Sequence, residues 1–135
     1  MSANDQEARR WLEQAKFDLE VASWNAKGQY WSEVCFKCQQ AGEKALKAFL
    51  YAQGRRSVLG HSLVELVREC AKYSPEMLSL EKGAKKLDKY YVITRYPNGL
   101  PGLTPAEYFE QSEAEEAIEL AKSVLYEVEE KLAGP

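Results

Sequence analysis

Few residues of this chain have the chemistry for a site, and their spacing limits what they can do. There is one histidine, His61, and three cysteines, Cys35, Cys38 and Cys70. A single imidazole excludes any site that needs two histidines from one chain. A Ser-His-Asp relay would have to run through His61 alone. Cys35-x-x-Cys38 has the spacing of half a zinc site, but four ligands would take all three thiols and His61 together. Both cysteines also fall in an apolar helical stripe, where a reduced thiol acts as a small core hydrophobe. Lys37, Lys44 and Lys47 lie near one stripe of one segment. Lys82, Lys85, Lys86 and Lys89 lie along a face of another, with Tyr90, Tyr91, Arg95 and Tyr96 close behind. Lysine charge and an arginine fork suit phosphate, and tyrosine faces suit bases. A solvated helix face above aromatic core residues fits the same pattern.

Arg95-Tyr96-Pro97-Asn98-Gly99 is the least ordinary segment. Pro97 forces Tyr96 out of helical geometry, which places Arg95 at a helix end. One reading is a stop signal, with Arg95 on the last carbonyls and a turn at Asn98-Gly99. The other puts an arginine and an asparagine at the mouth of a groove. His61 immediately precedes Ser62, and local packing at a helix cap accounts for it without chemistry. Glycine-rich phosphate loops, a Gly-x-Ser-x-Gly elbow and His-Glu-x-x-His are all missing from the sequence.

The 135 residues, 45% apolar and 29% charged, fit one domain with a core, 1–135. The net charge of −3 hides an uneven distribution: residues 1–36 sum to −2, residues 37–95 to +6 and residues 96–135 to −7. Such asymmetry marks either a basic surface for phosphates or two complementary faces of one bundle. Long apolar runs are absent, so no membrane span is expected. The N-terminus lacks a basic stretch followed by an apolar block. A cytoplasmic protein with reduced thiols is therefore the expectation.

The elements that must position these groups are helical. Ala8, Trp11, Leu12, Ala15, Leu19 and Ala22 mark a first helix, with Asn4 or Asp5 as cap and Gly28 as end. A second runs from about Trp31 to Gln53. It is apolar on more than one side, which places it in the middle of a bundle, and Gly54 stops it. Ser62-Leu63-Val64-Glu65 is a capping box for a short third helix. Ser74-Pro75 opens a fourth, carrying Leu80, Ala84, Leu87 and Tyr91. Three prolines and two glycines between Thr94 and Pro105 break the pattern, and Thr104-Pro105-Ala106-Glu107 starts one short turn. Ser112-Glu113-Ala114-Glu115 caps the last helix, which ends near Leu132. The expected fold class is all-α: an up-and-down four-helix bundle with an additional short helix.

Two blocks resemble a known family. Trp11 to Leu19 looks like the opening helix of HEPN domains, and Cys35-Phe36-Lys37-Cys38-Gln39-Gln40-Ala41-Gly42-Glu43-Lys44-Ala45-Leu46-Lys47-Ala48 is similar to their signature helix. His61-Ser62-Leu63 and Leu87-Asp88-Lys89-Tyr90-Tyr91-x-x-Thr94-Arg95-Tyr96-Pro97 match later blocks, so the resemblance covers residues 7–132. It resembles most the short stand-alone prokaryotic form. The resemblance implies a helical bundle that dimerises. It also implies a place beside a small nucleotidyltransferase or, in other members, a metal-independent ribonuclease built on an arginine followed four to six residues later by histidine.

This chain departs from the nuclease pattern. After Arg95 the histidine positions hold Leu100, Pro101 and Gly102. Arg55 or Arg56 with His61 matches literally, but in the loop after the second helix, and is read as coincidence. The expectation is therefore a non-catalytic, homodimeric HEPN protein without a cofactor or metal. It binds a nucleotide or phosphate-rich ligand, and RNA belongs to the same chemistry. It acts with a small nucleotidyltransferase in a toxin–antitoxin-like system. Lys37, Lys44, Lys85, Lys89, Arg95, Tyr96 and Asn98 are the expected lining. The alternatives are a divergent metal-independent ribonuclease using Arg95 with Tyr96 or Asn98, and a pure dimerisation or interaction module.

Overall fold

The computed structural model describes residues 2–133. Its elements are α1 (Ala3–Lys27), α2 (Trp31–Ala52), α3 (Leu63–Ala71), a 3-10 segment (Pro75–Leu80), α4 (Glu81–Asp88), α5 (Tyr90–Ile93), a second 3-10 turn (Pro97–Gly99), α6 (Pro105–Tyr108) and α7 (Gln111–Leu132). The fold is the all-α bundle that the periodicity predicts.

Helix α2 is its axis. It packs against α1 on one side, α7 on another and α3 beyond, and Glu33 is its one exposed residue. Leu46, Leu50, Val34 and the thiols of Cys35 and Cys38 sit within this core, joined by Cys70 from α3. Burial pushes Cys35 and Cys70 up to about 12, and Cys38 upward as well. Buried small residues of α2, Ala41, Gly42, Ala45 and Ala48, let its neighbours approach closely. At Gly42 a β-carbon would stand 2.6 Å from Cδ2 of Leu63, so the Leu63 side chain of α3 packs directly onto the bare backbone of α2 and would have to shift for any larger residue.

Several boundaries differ from the sequence expectation, each for a local reason. Ser2, rather than Asn4 or Asp5, caps α1, because Asp5 serves as the third residue of a capping box that returns a bond to Ser2. Glu110, rather than Ser112, caps α7 in the same way with Glu113, and the helix therefore begins earlier. Thr104 with Glu107 forms the expected box of α6. The fourth helix is divided. Ser74 turns its hydroxyl to Glu76 at 2.7 Å rather than to a backbone amide, and a 3-10 segment precedes α4. The helix is broken again at Lys89, between α4 and α5. Among the described residues no helix is long and apolar enough to cross a membrane.

Candidate functional site

The site region is where α2, the loop before α3 and the end of α5 meet. Pro97 puts Tyr96 in extended backbone (φ −125°, ψ 131°), so α5 stops at Ile93 with Thr94 as its cap. The last turn is then closed by side chains. Thr94 Oγ1 donates to the Tyr90 carbonyl at 2.6 Å, and Arg95 Nε donates to the Tyr91 carbonyl at 2.8 Å. The expected carbonyl-capping role of Arg95 is thus present.

It is not the whole role. The Arg95 guanidinium carbon lies 4.8 Å from the ring centroids of Phe36 and Tyr91 and 5.3 Å from that of Tyr96. Three rings, from α2, α5 and the extended segment after it, hold one exposed cation through cation–π contact. Among the described residues Arg95 has no carboxylate partner. Nε serves the carbonyl, and among the described residues neither terminal nitrogen has a hydrogen-bond partner, so the fork is set in place with donors to offer.

His61 reaches the same ring. Its imidazole stacks on Tyr91 with centroids 4.5 Å apart and planes 18° apart. The two residues are 34 positions apart in sequence (95 − 61), and the fold brings both within 5 Å of the Tyr91 ring centroid. The reason is the packing of α3 against α4, which brings the loop before α3 beside the chain that leads into α5.

A buried polar row of α2 fixes that imidazole. His61 Nδ1 sits 3.2 Å from Glu43 Oε1, and the Gln39 amide donates to the His61 carbonyl at 3.1 Å. Gln39 and Glu43 are 0% and 4% exposed. Glu43 also accepts from Lys47 at 3.1 Å and from Gln39 at 3.3 Å, and Lys47 lies over the ring of Trp11. Nδ1 is the ring nitrogen within hydrogen-bond reach of Glu43, at 3.2 and 3.3 Å from its two oxygens. The His61 side chain is 55% exposed and yet held at ring, carbonyl and nitrogen. Sequence reading missed this because Glu43 and Gln39 sit inside a stripe that looks like ordinary helix surface.

The other expected lining residues spread out. Tyr96 meets Arg95, as expected. Lys44 donates to Oδ2 of buried Asp18 on α1 at 2.6 Å, away from Arg95, and Gln14 takes the other oxygen at 3.2 Å. Lys37 is half-buried on α2 beside Phe36, while Lys85, Lys89 and Asn98 are exposed. Among the described residues Lys37, Lys85 and Lys89 form no ion pair, whereas Lys86 pairs with Glu116 at 3.0 Å. Tyr90, next to Tyr91, turns inward onto Phe109, and burial raises its hydroxyl.

Comparison with known proteins adds to this geometry. A family model described as HEPN domain matches residues 8–131. The protein MJ1304 of Methanocaldococcus jannaschii, whose name carries the word toxin, is 29% identical over 126 residues, covering 87% of this chain and 83% of that protein. Human sacsin is 30% identical over 130 residues, which is 93% of this chain but 3% of sacsin. The crystal structure of TT1696 from Thermus thermophilus superposes with a TM-score of 0.86 at 41% identity, covering 93% of this chain and 98% of that one.

Proposed function

The chain belongs to the HEPN domain family, and from that premise we propose that it is a non-catalytic member that binds a nucleotide or another phosphate-rich ligand at Arg95. It works as a homodimer with a small nucleotidyltransferase partner in a toxin–antitoxin-like system. The observation that carries the binding role is the Arg95 guanidinium, set on Phe36, Tyr91 and Tyr96 with no carboxylate partner among the described residues. A fork fixed before the ligand arrives loses little entropy on binding. Tyr96, half exposed, offers a face for a base, and Lys37, Lys85, Lys89 and Asn98, half-buried or exposed, are the further ligand contacts of this proposal. Lys44 is already matched by Asp18 and has a structural part. The toxin in the name of one relative supports the proposed setting. Phe17 and Trp24, 56% and 71% exposed on α1, support a role in assembly.

Calorimetric titration with ATP, GTP and a short RNA tests the binding role. Heat with at least one of them, lost in Arg95→Ala, is the expected result. No heat at millimolar ligand, or unchanged binding in the variant, would sink it. Sedimentation at micromolar concentration is expected to report a dimer. Co-expression with a nucleotidyltransferase encoded next to this chain is expected to yield a complex.

A second reading, a metal-independent ribonuclease, draws support from one observation: His61 and Arg95 share the Tyr91 ring. A cation and an imidazole in contact with one ring supply the two kinds of group that phosphodiester transesterification uses. Incubation with single-stranded RNA and a chelator separates the two readings. RNA left intact at high protein excess leaves the binding role alone, and cleavage lost in His61→Ala favours the nuclease.

A further inference from the structure

We infer that two copies of this chain meet through the outer face of α1, antiparallel about a two-fold axis at Phe17, with Trp24 of each copy seated in a hollow of the other. This rests on the homodimer reading above and names its face, its symmetry and its key residue.

The starting point is the spacing on α1. Arg10, Gln14, Phe17, Val21 and Trp24 recur every three or four residues, so they share one stripe of the helix. Ala8, Ala15, Asp18 and Ala22 occupy another face, toward the bundle, and are buried. Phe17 and Trp24 are exposed, with Val21 half-buried between them. Large apolar groups gathered on one stripe in water mark a contact surface.

The two ends of the stripe differ. At the N-terminal end a hollow of about 600 Å³ opens against α2, with Arg10, Trp11, Gln14, Phe17 and Lys44 in its lining. Its cations are already paired, Arg10 with Glu7 at 2.9 Å and Lys44 with Asp18 at 2.6 Å. Two aromatic residues and neutralised cations suit an uncharged ring rather than an anion. The C-terminal end carries such a ring, Trp24, with Lys27 Nζ 5.3 Å from its centre. From Trp24 to Arg10 is about 21 Å along the same helix, farther than an indole reaches.

A second copy removes that distance. Trp24 follows Phe17 by seven residues, and Arg10 precedes it by seven. An antiparallel copy crossing at Phe17 brings its Trp24 to the level of Arg10, at the hollow, and its Lys27 to the level of Glu7. Ring meets guanidinium, and cation arrives near carboxylate. Each copy gives one indole and receives one, so the contact closes at two copies instead of growing into a filament. A parallel copy would set Trp24 beside Trp24 and leave both hollows empty. Ring and hollow belong to the same chain at matching levels, and this selects a second copy as the occupant.

Sedimentation of the full chain across micromolar concentrations tests this. Wild type is expected to dimerise, and Trp24→Ala to weaken the dimer about thirtyfold or more, as loss of a central aromatic anchor does. Trp24→Phe is expected to recover part of that loss. Cross-linking reads the symmetry. The three native cysteines are buried, so a short bis-maleimide acts on an added surface thiol. Phe17→Cys is expected to give a covalent dimer, because the axis sets position 17 opposite itself. Tyr126→Cys, exposed on α7, is expected to stay unlinked.

A Trp24→Ala chain that sediments like wild type, or a dimer with no cross-link at position 17, overturns the inference. A dimer indifferent to both changes joins through another face, so the inference fails and the homodimer reading stands. A monomeric wild type removes both. If that monomer captures a nucleotidyltransferase through Trp24, the face belongs to a different protein and the inference is equally overturned.

Discussion

Ser62 Oγ donates to Oδ2 of Asp88 at 2.9 Å, which ties the residue after His61 to the helix that leads to Arg95. The same carboxylate accepts from the backbone amides of Leu63 at 2.6 Å and Val64 at 3.2 Å. Asp88 therefore caps α3 from another element and places a negative charge at its N-terminus. Asp88→Ala is expected to cost about 1–2 kcal/mol, read as a lower urea midpoint. It should also change the His61 imidazole resonances, because the loop loses its anchor. A midpoint within error of wild type would show that Ser62 alone suffices.

The close approach of α2 and α3 gives a second prediction. A methyl at Gly42 meets Leu63 Cδ2 at 2.6 Å, so Gly42→Ala is expected to cost about 1–3 kcal/mol through overpacking. Removing the clashing group changes the sign. In a Leu63→Ala background, itself destabilised by about 2–5 kcal/mol, the same alanine is expected to be neutral or to stabilise slightly, since alanine favours helix over glycine. A double-mutant cycle in denaturant measures the coupling, and additive effects would refute the contact.

Most of the fold was legible because helical periodicity and caps are local. Val34, Cys35, Cys38, Ala45 and Phe49 mark α2 as central without any knowledge of its neighbours, and they are buried. The site was legible only where its signal was local too. Pro97 after Tyr96 identified Arg95 as a helix end, and the structure adds its contact with Tyr96. What lay beyond reach was long-range pairing. Nothing in the spacing of Asp18 and Lys44 says that they meet, or that Asp88 rather than Glu65 completes the cap of α3. Glu43 and His61, 18 positions apart, meet only once the loop folds back over α2.

The pair formed by Asp18 and Lys44 predicts a separation of stability from binding. Asp18 is 1% exposed and depends on Lys44 and Gln14 for its charge. Lys44→Met leaves a buried carboxylate with one amide, at an expected cost of about 2–4 kcal/mol, below a fully buried pair because the lysine is partly solvated. Urea unfolding measures that loss. Ligand affinity at Arg95 is expected to stay within about twofold, a small change beside the tenfold that a lost contact costs. Weaker binding at unchanged stability would return Lys44 to the site.

The buried thiols predict how stability responds to alkali. Cys35 and Cys70 are raised from 9.0 to about 12, with burial the first cause of each. Between pH 9 and 12 the unfolded chain releases these protons while the native chain keeps them. A native state that binds more protons loses stability as pH rises. The contribution is complete below pH 9 and disappears progressively toward 12. The urea midpoint is therefore expected to fall above pH 9, and to fall less steeply in a Cys35→Ala, Cys70→Ala double variant, which carries the lysine titrations but not those of the two thiols. At pH 8 the native protein should resist a thiol-specific disulfide reagent, and all three cysteines should react after denaturation. Rapid labelling of the native chain, or equal alkaline slopes in the two proteins, would contradict the placement of these thiols in the core.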